Sequence, residues 1–200
     1  MKVFDPKSHQ QDVSGKIAIG FERISEAFRV LLWEHGKAAG LSPIQIQILI
    51  FIHYHDDDLC GVSFLAKEFN MAKPTISDAV KSLEKKRLLF KAPGGPDARS
   101  HVLKLTPTGK KTVKNVEGFA DPIKEKVEQL PVSDQDKMLE SIVKIIFKLN
   151  QTGIITIQRT CFACTYYQKK HGSQYCNLMQ TVLKKSDLRL DCPEFVSKAV

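Results

Sequence analysis

The chain reads as mainly helical, with one small β-hairpin and a cysteine-rich C-terminal appendage. Three observations predict this. Apolar residues recur at steps of three and four over most of residues 14–150. Residues 88–105 break that period with two strand-like runs around Pro93-Gly94-Gly95-Pro96-Asp97. Cys161, Cys164, Cys176 and Cys192 crowd the last 40 residues, and Cys60 stands apart. With 200 residues, 42% hydrophobic and 26% charged, the chain has ordinary globular usage and can bury a core without disulfides. No apolar run reaches 18 residues, so no membrane span is expected. Residues Met1 to Pro6 show no apolar h-region, so the expected compartment is the cytoplasm.

The elements follow in order. Ile17, Phe21, Ile24, Phe28 and Leu31 form one stripe, predicting a helix from about Ser14 to Ala38 with Gly36 and Gly40 as stop signals. Leu32 and Trp33 widen its apolar surface, which suggests packing beyond its own domain. Ser42-Pro43 with Gln45 reads as a capping box, opening a buried helix through Ile46–Ile52. Asp56-Asp57-Asp58 ends it as a solvated turn, because three consecutive carboxylates cannot converge on one cation from a regular element. Residues 62–70 make a short helix and 70–73 a turn. A second helix starts at Pro74 and buries Ile76, Ala79, Val80 and Leu83. Its other face carries Thr75, Asp78, Lys81, Ser82 and Lys85. Two short helices around a tight turn, followed directly by a hairpin, form a winged helix-turn-helix pattern. The recognition helix spans about 74–88 and the wing 91–101. Thr106-Pro107 caps a further helix running to about Gln129. Ser133 restarts after Pro131, with Met138, Ile142, Ile145 and Leu149 as a second stripe ending at Gly153.

Charge is placed unevenly. The net +8 breaks down as −2 over 1–60, +6 over 61–110, zero over 111–150 and +4 over 151–200. The helix-turn-helix and wing therefore hold most of it, a local surface for a polyanion. Lys73, Lys81, Lys85, Lys91 and Arg99 can reach phosphates.

At this point the sequence resembles the MarR family of winged-helix transcriptional regulators, over roughly residues 14–150. The carrying motifs are Leu41-Ser42-x-x-Gln45, Pro74-Thr75-Ile76-Ser77, Leu83-Glu84-Lys85-Lys86, Asp97-x-Arg99 and Leu105-Thr106-x-x-Gly109. The resemblance implies an obligate homodimer with interlocking terminal helices and two recognition helices in successive major grooves of a pseudo-palindromic operator, about 10 bp apart. It implies DNA contacts at Lys73, Pro74, Thr75, Ser77, Asp78, Lys81, Ser82, Lys91, Asp97 and Arg99, with Asp97 holding Arg99 at the wing tip. Small-molecule effectors, often phenolic, bind between the dimer helices and the winged domain in that family. One departure is Asp78, where many members carry Arg. An acidic side chain there can accept from cytosine N4 or simply offset Lys81 or Lys85. The expected organisation is a dimerisation helix (1–40), a winged domain (41–110), C-terminal dimerisation helices (111–153) and a cysteine-rich extension (154–200).

The extension reads Cys161-x2-Cys164-x11-Cys176-x15-Cys192-Pro193. Four thiols match a four-ligand site. The leading reading is structural zinc; an iron–sulfur cluster and a metal-free thiol–disulfide switch stand beside it. Leu183, Leu188 and Phe195 can give this segment a small core. His171 reads as a polar loop residue, Cys60 as a small buried hydrophobe, and His35 has no evident partner. His53 and His55 end a buried helix, where they can line a ligand pocket. There is no Gly-rich phosphate loop, nucleophile elbow or convincing Ser/His/Asp set, so no enzyme is expected. The function expected is a homodimeric DNA-binding regulator, a repressor, with a small molecule or the cysteine site as input. The alternatives are a thiol or iron–sulfur redox protein and a protein-interaction module using the tail.

Overall fold

The computed structural model describes residues 3–5, 12–94, 101–170 and 172–198. Helix α1 (Val13–Ala39) ends at Gly40, whose φ of 65° gives the left-handed cap. Gly36 is not a stop, contrary to the sequence expectation. It is buried inside the helix, and a Cβ there would stand 2.4 Å from the Leu41 carbonyl, so the turn leading into α2 packs against its bare backbone. Helix α2 (Pro43–Tyr54) starts as read, with the Ser42 N–H donating to Gln45 Oε1 at 3.1 Å. Ile46, Ile48 and Leu49 on it are fully buried and form the centre of the core. Asp56, Asp57 and Asp58 are exposed, and Asp57 pairs with Lys104 at 2.8 Å.

Helices α3 (Val62–Glu68) and α4 (Lys73–Lys85) make the helix-turn-helix, and Ile76, Ala79, Val80 and Leu83 are all buried as read. Helix α4 stops three residues earlier than expected. Leu88 N–H bonds the Leu83 carbonyl and Arg87 N–H that of Glu84, with Arg87 at φ 56°. That paired geometry is a Schellman motif formed without glycine. Strands β1 (Leu89–Pro93) and β2 (His101–Leu105) pair antiparallel, Leu89 opposite Leu105 and Pro93 opposite His101. Thr106 caps α5 (Pro107–Val116) by accepting from Gly109 N–H at 3.0 Å. A Cβ at Gly109 would lie 1.9 Å from the Leu88 carbonyl, which is why this motif ends in glycine.

The helix expected from Pro107 to Gln129 is broken. A 3-10 turn at Glu117–Ala120 separates α5 from α6 (Asp121–Glu128). Pro122 has no N–H and its ring opposes the carbonyl four residues back, so a straight helix cannot pass. Helix α7 (Val132–Gln151) follows. Its expected stripe is only partly covered, with Met138 and Ile145 exposed and Ile142 and Leu149 half-buried; the fully buried residue is Val143. On α1, Ile17, Phe21 and Ile24 are likewise exposed, Phe28 and Leu31 half-buried, and Leu32 is the covered residue.

The C-terminal segment holds a three-stranded antiparallel sheet of β3 (Tyr167–Lys170), β4 (Ser173–Cys176) and β5 (Thr181–Leu183). These strands were not expected, being short and polar on most positions. Leu183 and Leu188 are buried and Phe195 half-buried. The segment rests on α7, where Phe147 meets Phe162 edge-on at 6.4 Å and Glu140 holds Lys185 at 2.9 Å.

Candidate nucleic-acid interface and cysteine pocket

The apolar half of α4 turns its opposite face to solvent by helical geometry alone. Lys73, Pro74, Thr75, Asp78, Lys81 and Lys85 are exposed there, and Ser77 and Ser82 are half-buried. Asp78 holds Lys81 Nζ at 3.2 Å, three residues apart on the helix. Lys91 at the base of the wing is tied to Glu84 at 2.9 Å. Both pairs are solvent-facing and weak, so phosphate can compete for either lysine. Lys86 is turned away to the Gly40 carbonyl. Asp97 and Arg99, which the sequence reading puts at the wing tip, lie outside the described residues, as does His171.

All four tail cysteines line one small pocket, with Tyr167, Leu183 and Arg189 among its walls. They come from separate places: the 3-10 turn Cys161–Ala163, its end at Cys164, the last residue of β4, and the turn after Asp191. All four are free thiols. Cys161 Sγ accepts from the Arg189 N–H at 3.3 Å, and the Arg189 guanidinium reaches Cys192 Sγ at 3.6 Å. Burial pushes both thiols above their ordinary pKa, against the pull of those donors. Among the described residues, no group of three or more His, Cys, Asp or Glu is arranged to hold a metal ion as it stands.

Four residues that sequence reading did not assemble join this segment to the winged domain. Arg159 makes a bidentate pair with Glu68 at the end of α3, at 2.8 and 3.1 Å. The same guanidinium bonds Asp191 at 2.5 and 3.1 Å and lies 5.5 Å above the Phe51 ring. Asp191 Oδ2 is 2.8 Å from His55 Nε2. Burial works against the Arg159 charge, but Asp191 and Glu68 overcome it and hold its pKa above the ordinary value. Partial desolvation raises the Asp191 carboxyl, but the hydrogen bonds from Arg159 and His55 outweigh it and hold its pKa below the ordinary value. Asn70 bonds the Ile154 carbonyl at 3.2 Å, and Thr156 bonds that of Lys67. Beside this clamp opens a cleft of about 290 Å³, lined by Tyr54, His55, Leu59, Phe64, Arg159 and Phe195. His55 thus does line a cavity, while His35 has a partner after all, the Leu31 carbonyl of its own helix at 3.0 Å. Cys60 is buried as read, and burial near three aspartates pushes its thiol up to about 11.

The α2 cap, the helix-turn-helix and the first strand of the hairpin fall within the region that a family model recognises. Residues 39–100 match the MarR family. No curated protein matches the chain. Among solved structures, Staphylococcus aureus MepR in its DNA-binding conformation is similar, at 22% identity and a TM-score of 0.60, covering 66% of this chain and 98% of that one. The S. aureus MepR–DNA complex gives 22% identity and a TM-score of 0.59, covering 66% and 97%. A further MepR structure, described as a transcription regulator of the S. aureus multidrug efflux pump MepA, gives 22% identity and a TM-score of 0.50, covering 66% and 97%. The fold is therefore the MarR-type winged helix, and a third of the chain has no counterpart in those structures. Among the described residues no helix is long and apolar enough to cross a membrane.

Proposed function

We propose that this chain is a homodimeric DNA-binding transcription regulator that represses by occupying a pseudo-palindromic operator. The observation that carries this reading is the exposed polar and basic face of α4 beside a wing, inside the segment that matches the MarR family. That family consists of transcription regulators, not enzymes. The α4 face would enter the major groove, with Thr75, Ser77, Asp78 and Ser82 toward base edges and Lys73, Lys81 and Lys85 toward phosphates. Arg99 and Asp97 belong to the wing contact in this reading. Dimerisation is supported by the apolar stripes left uncovered on α1 and α7. Ile17, Phe21, Ile24, Met138 and Ile145 stay exposed in one copy, and a second copy bearing the same stripes would cover them. The cleft between the winged domain and the tail is where a small-molecule effector would fit.

Selection of bound fragments from genomic DNA, with sedimentation of the protein alone, tests this. One enriched inverted repeat bound by two chains is expected. A monomer in solution, or binding without any sequence preference, would refute it.

A further inference from the structure

The four cysteines gather around one void of about 30 Å³. That is room for one or two water-sized guests, and far too little for an organic ligand. Arg189 brings donors to two of the sulfurs, its backbone N–H to Cys161 Sγ and its guanidinium to Cys192 Sγ, the latter shared with the Glu194 carboxylate at 2.7 Å; such donors steady a thiolate once it forms. Tyr167 also lines the void, and its buried hydroxyl has no hydrogen-bond partner among the described residues. A buried hydroxyl left unpaired is costly, and a thiolate is a stronger acceptor than a thiol.

The segment also needs a cross-link. Residues 161–198 bury few apolar side chains, chiefly Cys164, Leu183 and Leu188, and the described cysteines make no disulfide. So small a core does not hold several short strands and turns unaided. A bound metal would supply what the core lacks.

The position of the pocket gives it a consequence. Cys192 follows Asp191 directly, and the Cys192 N–H bonds the Arg159 carbonyl at 3.1 Å. Arg159 grips Glu68 of the helix-turn-helix. On the other side, Phe162, between Cys161 and Cys164, packs on Phe147 of α7. The cysteine pocket is thus connected to both halves whose relative angle would set the spacing of two recognition helices.

We propose that Cys161, Cys164, Cys176 and Cys192 form a four-thiolate metal centre whose occupancy fixes α7 against the helix-turn-helix unit. The four sulfurs would have to close in on the ion from their places around the void, and each thiol would release its proton to solvent as it ligates. The void's size favours a single thiolate-binding ion such as Zn²⁺; an iron–sulfur cluster on the same four ligands would need the pocket to widen. The metal half of this inference stands apart from the regulatory reading, and the coupling half rests on it.

The experiment uses the full chain purified without oxygen. Metal and acid-labile sulfide are measured, then thermal unfolding and DNA affinity are compared before and after chelation. About one zinc per chain, or iron with sulfide, is expected, and Cys161→Ser and Cys192→Ser should lose it while Cys60→Ala keeps it. No metal under any loading condition, with four titratable tail thiols, overturns the centre. Should the serine variants not fold, chelation of the unaltered chain gives the same reading, since loss of metal must lower its melting temperature. Operator affinity should fall by on the order of tenfold on chelation and return on reloading. Bound metal with unchanged operator affinity overturns the coupling. Bound metal with no DNA binding in any form would instead refute the regulatory reading and leave the centre standing.

Discussion

The winged domain and the cysteine segment are held together by different physics. In the first, Ile46, Ile48, Leu49, Leu65, Ile76 and Leu83 are all at 0% exposure in one continuous core. In the second, the covered apolar residues are few, and attachment depends on the Arg159 clamp, the Phe147–Phe162 contact and the Glu140–Lys185 pair. The contrast teaches that the two regions can fail separately. Apolar burial is non-directional and shared by many residues. A charged clamp depends on a few atoms in one geometry.

The largest effect should come from breaking the first region. Leu49→Ala removes a fully covered side chain at the centre of the core and should cost about 3–4 kcal/mol, measured by urea unfolding of the whole chain. Leu188→Ala in the tail should leave the main transition nearly in place and raise hydrogen exchange only around residues 161–192. Equal loss of both regions in either variant would mean that they unfold as one unit.

The clamp is the next test. Arg159→Ala leaves Glu68 and Asp191 without their cation. Removing one member of a buried pair costs about 3–5 kcal/mol; the lower end applies here because Asp191 is 47% exposed. The readout that separates the clamp from general stability is proteolysis after the tail. Cleavage between α7 and residue 160 should accelerate while the winged domain stays folded. Protection equal to that of the unaltered chain would show that the tail is held by α7 alone.

How much of this was legible in the sequence follows the same division. Caps, the 3.6 period and the hairpin are local signals, so α2, α3, α4 and the wing could be read with small errors at their ends. The α5–α6 break is also written locally, in Gly118 and Pro122, although the sequence reading runs one helix through to Gln129. The stripe on α1 was legible as a surface wider than one domain needs, and one copy leaves much of it uncovered. The clamp was not legible. Arg159 meets Glu68 across 91 residues, and His55 meets Asp191 across 136. No spacing rule joins such positions. The four cysteines were legible as a set, because their residue type carries the signal regardless of fold, but their convergence on one pocket required the turns and β4.

A smaller, pH-dependent effect sharpens the difference between Cys60 and the tail thiols. Folded Cys60 keeps its proton to about pH 11, whereas its ordinary value is 9.0. The unfolded chain therefore sheds that proton first, and stability falls as pH rises through this window. The loss is about 1.3 kcal/mol between roughly pH 8 and 10. Cys60→Ala should remove that part of the alkaline slope, seen by denaturant unfolding at several pH values. An unchanged slope would place the alkaline sensitivity in the tail thiols instead.

The smallest effect concerns Asp78, and it tests whether the exposed face of α4 reads bases or only balances charge. Asp78 and Lys81 are both well exposed and 3.2 Å apart, so their mutual attraction is well under about 1 kcal/mol. Replacing Asp78 by Ala frees Lys81 and removes a carboxylate from the surface proposed to meet phosphate. If the residue only offsets Lys81, affinity should rise by a few-fold on every DNA sequence, with little change in base preference. The salt slope should then fall by about 1 when Lys81→Ala is added, as one phosphate contact is lost. If Asp78 instead accepts from a cytosine amino group, the same substitution would lose about 1–3 kcal/mol of discrimination at a single base pair. The geometry favours the first outcome, because the carboxylate is already engaged along the helix surface by Lys81. A base-specific loss would mean that this pair opens on binding and that the acidic residue, unusual at this place, selects the operator.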